Sequence, residues 1–549
     1  MDDDVPASAG CPARGVAAEF DPWDLASPFE LYARARSEAP VFYSDELGYW
    51  VVSRYDDIQQ IFKDPATFSS ENTQLPYRER DPEIQRILDD AGVSSGSGLS
   101  ARQPPDHTRL RRFIQKAFTP RRVAALEPTV RSLTVDLVER MREAGRGDLV
   151  ADLANHLPAL VIFRLLGAPD IDVEQAKRWA LSRVYLNFGD LPVEQQAEHA
   201  HSLAEYGRFC AGLVDASFEE PKDDLPGDLA RIYLDGDESL SKNEIVGLVY
   251  TQLFAGHETT TSLLGSGLRE LLEQRDRWEA LCDDPALIPA AVEEMLRLGP
   301  AVFTWKRVTT RATRVGDTDL PAGANVLLLL GSANRDESVF ADPDRVDFER
   351  DNARSHLSFG HGIHFCLGAS LARLEIQTVL EELTGRLPGL RLAEGQTFEY
   401  RRNTTFRGPV SLLVEWDDAR PAPVRELPDC GPDDVALAGG KAVGLGALLR
   451  AGFPVPPGFA VTTHAYAAAL EGVGGSARLE AEVAAADGDD LGALEAAAAR
   501  ARAIVERIEL PASVRDAVAG AYAALGGDVP VAVRSSATAE DAADASFAG

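Results

Sequence analysis

The longest helical pattern in the chain places Ile245, Val249, Leu253, Gly256, Thr260, Leu263 and Leu264 on one apolar stripe. Ser241 and Glu244 stand three apart at its start, the spacing of a capping box. The pattern predicts a helix running to about residue 273, roughly 45–50 Å long and able to cross a whole domain. Shorter signals surround it. Tyr49 to Val52, the apolar run from Val326 to Leu330, and Val410 to Trp416 predict strands, whereas Tyr55 to Phe62 predicts an amphipathic helix. Residues 94–105 are rich in Ser, Gly and Pro and read as a loop. An Arg-rich helical pattern follows from Asp106 to Phe118, and residues 123–235 are mostly helical, with Pro and Gly breaks. The first three-quarters of the chain is therefore expected to be mainly α with small β-sheets.

Three stretches carry chemistry. In the loop from Phe359 to Gly368, Cys366 lies between glycines and the onset of a helix, where the first N–H groups are expected to lower the thiol pKa. A thiolate in an apolar pocket with room for a flat ligand suits the axial position of a haem iron. Within the long helix, Ala255, Gly256, His257, Glu258 and Thr259 interrupt the apolar stripe. The Thr259 hydroxyl can turn to the carbonyl of Ala255, Gly256 lets a ligand approach the backbone, and Glu258 beside Thr259 could relay protons. His107 and Arg111 are four apart on one helical face and suit a carboxylate or phosphate.

Composition narrows the classes. A formal net charge of -32 argues against nucleic acid and anionic membrane as partners. Against that background the cluster Arg112, Lys116, Arg121 and Arg122 suggests docking of an acidic protein. Cysteines at positions 11, 210, 282, 366 and 430 imply neither a disulfide framework nor a metal cluster. The acidic start Met1-Asp2-Asp3-Asp4 is unlike a signal peptide and no run reaches transmembrane length, so a cytoplasmic location is expected.

Together these motifs resemble the cytochrome P-450 family of haem-thiolate monooxygenases, bacterial soluble type, over residues 18–416. Phe359, Gly362, Cys366 and Gly368 match its cysteine signature, and Ala255, Gly256, Glu258 and Thr259 its oxygen-activation motif. Glu294 and Arg297 match its core acid–arginine pair, with Arg345 at the place of the third member. The resemblance implies haem b ligated by Cys366, with His107, Arg111, Arg307 and His364 on its propionates. It implies dioxygen as oxidant, Glu258 and Thr259 as catalytic residues, and ferredoxin with ferredoxin reductase as electron donors. Hydroxylation or epoxidation of an apolar small molecule is the expected reaction. The alternatives are a haem protein that binds a ligand without turnover, and a phosphotransferase fusion whose haem half presents or pre-oxidises the substrate.

Residues 1–17 are expected to be disordered, and the Pro-rich acidic residues 417–434 to form a linker. Beyond it the composition shifts to Ala and Gly. Gly439-Gly440-Lys441 before a helix and Val531 to Asp541 together resemble the ATP-binding domain of phosphoenolpyruvate synthases, pyruvate phosphate dikinases and rifampicin phosphotransferases. That resemblance implies a partial α/β, ATP-grasp-like domain over 435–549, with Lys441 and Arg534 on ATP phosphates and Mg²⁺ as a companion. No phosphohistidine segment is present, so no phosphotransferase activity is expected of this chain alone.

Overall fold

The computed structural model describes residues 12–93, 98–142, 144–168, 171–236, 240–416, 423–471, 491–506, 508, 510–526 and 529–534. The chain divides into two compact units, Met1–Asp417 and Asp418–Gly549. The first is mainly helical with small sheets.

Its axis is the predicted long helix, Lys242–Glu273. The Ser241 hydroxyl accepts from the Glu244 amide, and the Glu244 carboxylate accepts in return from the Ser241 amide, so two orphan helix-start donors are satisfied locally. This helix is buried on nearly every side, packing against Leu157–Leu165, Val193–Glu219, Leu225–Leu234 and Ile288–Leu298. At Gly256 the approach of Leu157–Leu165 is so close that a Cβ would stand 2.5 Å from Ile162 Cδ1. The glycine is a packing requirement as well as an opening.

A five-stranded sheet takes the order Val41–Ser44, Tyr49–Val52, Asn325–Leu329, Thr304–Thr309, Phe68–Ser69. Tyr49–Val52 and Asn325–Leu329 pair in parallel, and the other neighbours are antiparallel. Side chains alternate along Thr304–Thr309, so Trp305 and Arg307 share one face while Lys306 takes the other. The strand expected over 410–416 shortens to Leu413–Glu415, the centre of a three-stranded sheet with Arg146–Asp148 and Arg391–Leu392. The Arg-rich helix spans Asp106–Ile114 and tightens into a 3₁₀ turn at Gln115–Phe118.

The buried acid–arginine pair differs from the sequence reading in one member. Arg297 and Glu294 are both fully buried and bidentate, at 2.7 and 2.9 Å. Arg297 also donates to the carbonyls of Asn334, Pro343 and Arg345. Only the Arg345 backbone takes part, and its side chain is exposed. The guanidinium that reaches Glu294 is that of Arg350, at 3.2 Å. The chain winds through residues 343–350 so that the later arginine turns inward.

Residues 417–422, at the junction with the second unit, lie outside the described residues. From residue 423 the stretch read as a linker is folded: Val424–Glu426 pairs antiparallel with Phe459–Val461, and Leu427 and Cys430 pack with Ala438 and Ala442. Gly439 has φ 79° inside Val435–Arg450, which puts a sharp turn immediately before Gly440 and Lys441. Helices Leu491–Val505 and Ala512–Ala524 follow, the second beginning just after Pro511.

Candidate active site

The site forms where the Cys366 loop faces the middle of Lys242–Glu273. Gly360 and Gly362 both take positive φ, 67° and 72°. At Gly362 a Cβ would meet the Phe62 carbonyl oxygen at 2.5 Å, so only glycine lets the loop lie against that helix end. The Cys366 amide donates to the Phe359 carbonyl at 3.0 Å, which closes the loop, and the helix Ala369–Arg386 begins three residues later. The sulfur opens onto an interior cavity of about 270 Å³. Its surroundings pull in two directions. Burial pushes the thiol pKa up, while the Gly368 and Ala369 amides, Arg111 and Arg373 favour the thiolate. The expected lowering by the helix start is present, but burial outweighs it.

Across the cavity stand Ala255, Gly256, Thr259 and Thr260. The Thr259 hydroxyl donates to the Ala255 carbonyl at 2.7 Å, as the sequence suggests. Glu258 is placed differently. It does not line the cavity but is buried against Val173–Phe188, where its Oε2 accepts from Lys177 Nζ at 2.8 Å. Burial raises its pKa, yet Lys177 and His257 overcome that and hold the carboxyl below its ordinary range.

At the edge of the cavity four basic groups converge without an acid. Arg111 donates to the Phe365 carbonyl at 2.7 Å, and Arg307 donates to its own neighbour's carbonyl, that of Lys306, at 2.7 Å. The His107 and His364 rings lie 4.2 Å apart. His364 meets the Ser70 hydroxyl at 3.2 Å, whereas both ring nitrogens of buried His107 lack a partner. Burial pushes Arg307 down to about 9. Burial, with Arg307, His107 and Arg111 nearby, pushes His364 down to about 3. His107 falls to about 4 through burial and Arg111. Such crowding is relieved by anions.

These residues fit a haem. An apolar slot lies over one cysteine sulfur, with Phe359 and Gly368 in its wall, and Arg111, Arg307 and His364 gather at its rim with the unpartnered His107 ring against His364, a basic set suited to carboxylates. Arg111, Arg307, His364, Ala255, Gly256 and Cys366 all line the cavity; His107 lies behind it.

Several participants escaped the sequence reading. Lys177, 81 positions from Glu258, pairs with it. Glu375 lines the cavity with an unpartnered Oε2, and burial lifts its pKa well above the ordinary range. Arg183 and Gln74 line the distal wall. Of the basic patch, Arg122 is neutralised by Asp228 and faces Asp223, which leaves Arg112, Lys116 and Arg121 exposed. Among the described residues no His, Cys, Asp and Glu cluster forms a metal site, and no helix is long and apolar enough to cross a membrane. In the second unit Lys441 and Arg534 are both exposed; Ser535 to Asp541 lie outside the described residues.

Comparison with known proteins returns the same family as the motifs. The cytochrome P-450 family model matches residues 47–385, and the pyruvate phosphate dikinase AMP/ATP-binding domain matches residues 435–549. Cytochrome P-450 107B1 of Saccharopolyspora erythraea is 38% identical over 393 residues, covering 70% of this chain and 93% of that protein. Cyclomarin C epoxidase CymV of Salinispora arenicola is 39% identical over 369 residues, covering 66% and 90%. The solved structure of cytochrome P-450 CREJ in complex with (4-ethylphenyl) dihydrogen phosphate is 44% identical, covers 73% of this chain and all of that one, and superposes with a TM-score of 0.71.

Proposed function

The chain belongs to the cytochrome P-450 family, and from that premise we propose that its monooxygenase unit uses dioxygen and electrons from separate proteins to hydroxylate or epoxidise a small organic molecule. The observation that carries this reading is the Cys366 sulfur opening on a largely apolar cavity at which Arg111, Arg307 and His364 gather, with His107 behind them. Bound haem b supplies a thiolate-ligated iron at which dioxygen is activated.

Cys366 would be the iron ligand, with the Gly368 and Ala369 amides moderating its charge. His107, Arg111, Arg307 and His364 would take the propionates. Thr259 holds a proton at Oγ1 on the distal side, pinned to Ala255 and facing the cavity. Glu258 is the acid–base group behind it: Lys177 keeps it ionised, and it gains a proton only as that ion pair loosens. Phe254, Val302, Trp305 and Phe406 exclude water from the substrate's apolar body.

CREJ was solved with an alkylphenyl phosphate, so we extend the substrate class from apolar molecules to apolar molecules bearing a phosphate ester. Arg112, Lys116 and Arg121 form the docking site for an acidic ferredoxin. Residues 435–549, which match an AMP/ATP-binding domain, would bind ATP, with Lys441 and Arg534 on its phosphates and Mg²⁺ as companion.

The test is the carbon-monoxide difference spectrum of the reduced full chain, wild type against Cys366→Ala. A thiolate-type band that disappears in the variant is the expected result. Its absence from wild type refutes the monooxygenase reading.

A further inference from the structure

Arg183 is a buried cation that nothing in the mechanism above uses. It projects from Val173–Phe188 into the distal cavity and is 4% exposed. One of its nitrogens donates to Gln74 Oε1 at 3.0 Å. Its Nε and Nη1 are buried with no hydrogen-bond partner, and it makes no ion pair among the described residues. The guanidinium lies 4.9 Å from the Tyr250 ring and 4.6 Å from that of Phe254. Those faces fix its plane without satisfying its N–H donors.

The wall around it is polar as well. Gln74 donates to the Ser100 hydroxyl at 3.4 Å, and Ser100, Thr251 and Gln252 line the same cavity. Two further cations stand near this wall, Arg80 half-buried and Lys306 buried. Arg80 is bonded to Asn187, and Lys306 donates to the Leu75 carbonyl and lies 4.1 Å from the Tyr77 ring. Elsewhere Val302, Trp305 and Phe406 give the cavity an apolar lining. In a chain of net charge -32, an unpaired cation is left facing an interior space. The guanidinium keeps one unpartnered nitrogen on its side edge, Nε, and one at its end, Nη1, and a charged N–H donor on either edge suits an anion's oxygen.

We propose that Arg183, steadied by Gln74, is the subsite that binds the phosphate of an amphiphilic phosphate monoester and so aims its apolar end at the haem. The proposal rests on reading the cavity as the substrate site. It also departs from a purely apolar substrate, because such a molecule would leave Arg183 buried and unsatisfied.

The experiment titrates the haem-loaded full chain with 4-ethylphenyl phosphate, 4-ethylbenzoate and 4-ethylphenol, followed by calorimetry and by the Soret shift. Wild type should bind the phosphate ester at least about ten-fold more tightly than the phenol, as one charge-assisted contact allows. Arg183→Gln should weaken the phosphate ester by on the order of 10–100-fold while changing the phenol by less than about three-fold. Arg183→Lys keeps the charge but offers one nitrogen instead of three, and should fall between wild type and Arg183→Gln. The carbon-monoxide band of each variant reports that the haem unit is intact. If Arg183→Gln does not load haem, the Arg183→Lys titration decides.

Unchanged affinity for the phosphate ester in the deciding variant overturns the proposal, as does equal loss for ester and phenol. Benzoate binding as tightly as the ester, with the same dependence on Arg183, overturns the choice of phosphate. A wild-type chain that binds the ester calorimetrically but has no thiolate-type band refutes the monooxygenase reading and leaves the anion subsite standing.

Discussion

Replacing Lys177 by methionine keeps most of the side chain's volume and removes one charge from a buried pair. Lys177 Nζ and Glu258 Oε2 are 2.8 Å apart, with both side chains less than a tenth exposed. At an effective dielectric of about 20, two unit charges at that distance attract by about 6 kcal/mol. Desolvation offsets part of this, and breaking such a pair by removing one partner costs about 3–5 kcal/mol, because a charge is left buried alone. The sign with pH follows from Glu258. Its folded pKa lies below the ordinary range, so in wild type the pair contributes stability above that range and loses it as pH falls through the lowered value. Without Lys177, burial dominates and the pKa rises above the ordinary value, so the variant sheds its penalty as Glu258 protonates on acidification. Soret-monitored denaturant unfolding at pH 7 and pH 5 should show Lys177→Met less stable by about 3–5 kcal/mol at the higher pH, with a smaller gap at the lower. The double variant Lys177→Met, Glu258→Gln should recover part of the loss at pH 7. A gap that is the same at both pH values, or under about 1 kcal/mol at pH 7, would mean that the pair is worth no more than a surface salt bridge.

Arg350→Ala removes the second cation on Glu294 and should destabilise the haem unit by about 2–3 kcal/mol, whereas Arg345→Ala, on an exposed side chain, should stay within about 0.5 kcal/mol; the same unfolding assay compares them. Reversing Arg112, Lys116 and Arg121 to Glu should slow stopped-flow reduction by an acidic ferredoxin and flatten its dependence on ionic strength, while reversing Arg122, already neutralised by Asp228, should add little.

What the sequence reveals and conceals follows from how local each interaction is. The Cys366 loop, the capping box at Ser241 and the Thr259 hydroxyl bond involve residues within a few positions of one another, so spacing displays them. Lys177 with Glu258, and Arg183 with Gln74, join elements about a hundred positions apart, and no periodicity connects them. Val173–Phe188 is also buried on several faces, so its pattern does not single out the side chain that enters the cavity. Spacing alone points to Arg345 beside Glu294, and only the path of residues 343–350 brings Arg350 inward instead. Within the expected linker the Pro and acidic residues conceal a short strand for a related reason: Val424–Glu426 pairs with the distant Phe459–Val461.

The strand Thr304–Thr309 has a consequence for redesign. Trp305 touches the substrate side of the cavity and Arg307 the rim expected to hold the propionates, and two residues along one strand separate them by about 6.6 Å. Cofactor anchor and substrate wall are thus two marks on a single ruler. Substitutions at Trp305 can reshape what is oxidised without moving the anchor. A one-residue deletion before it would turn Lys306 inward and shift both marks together. Within this strand, new specificity is reached by exchanging side chains, while altering its length would forfeit the cofactor.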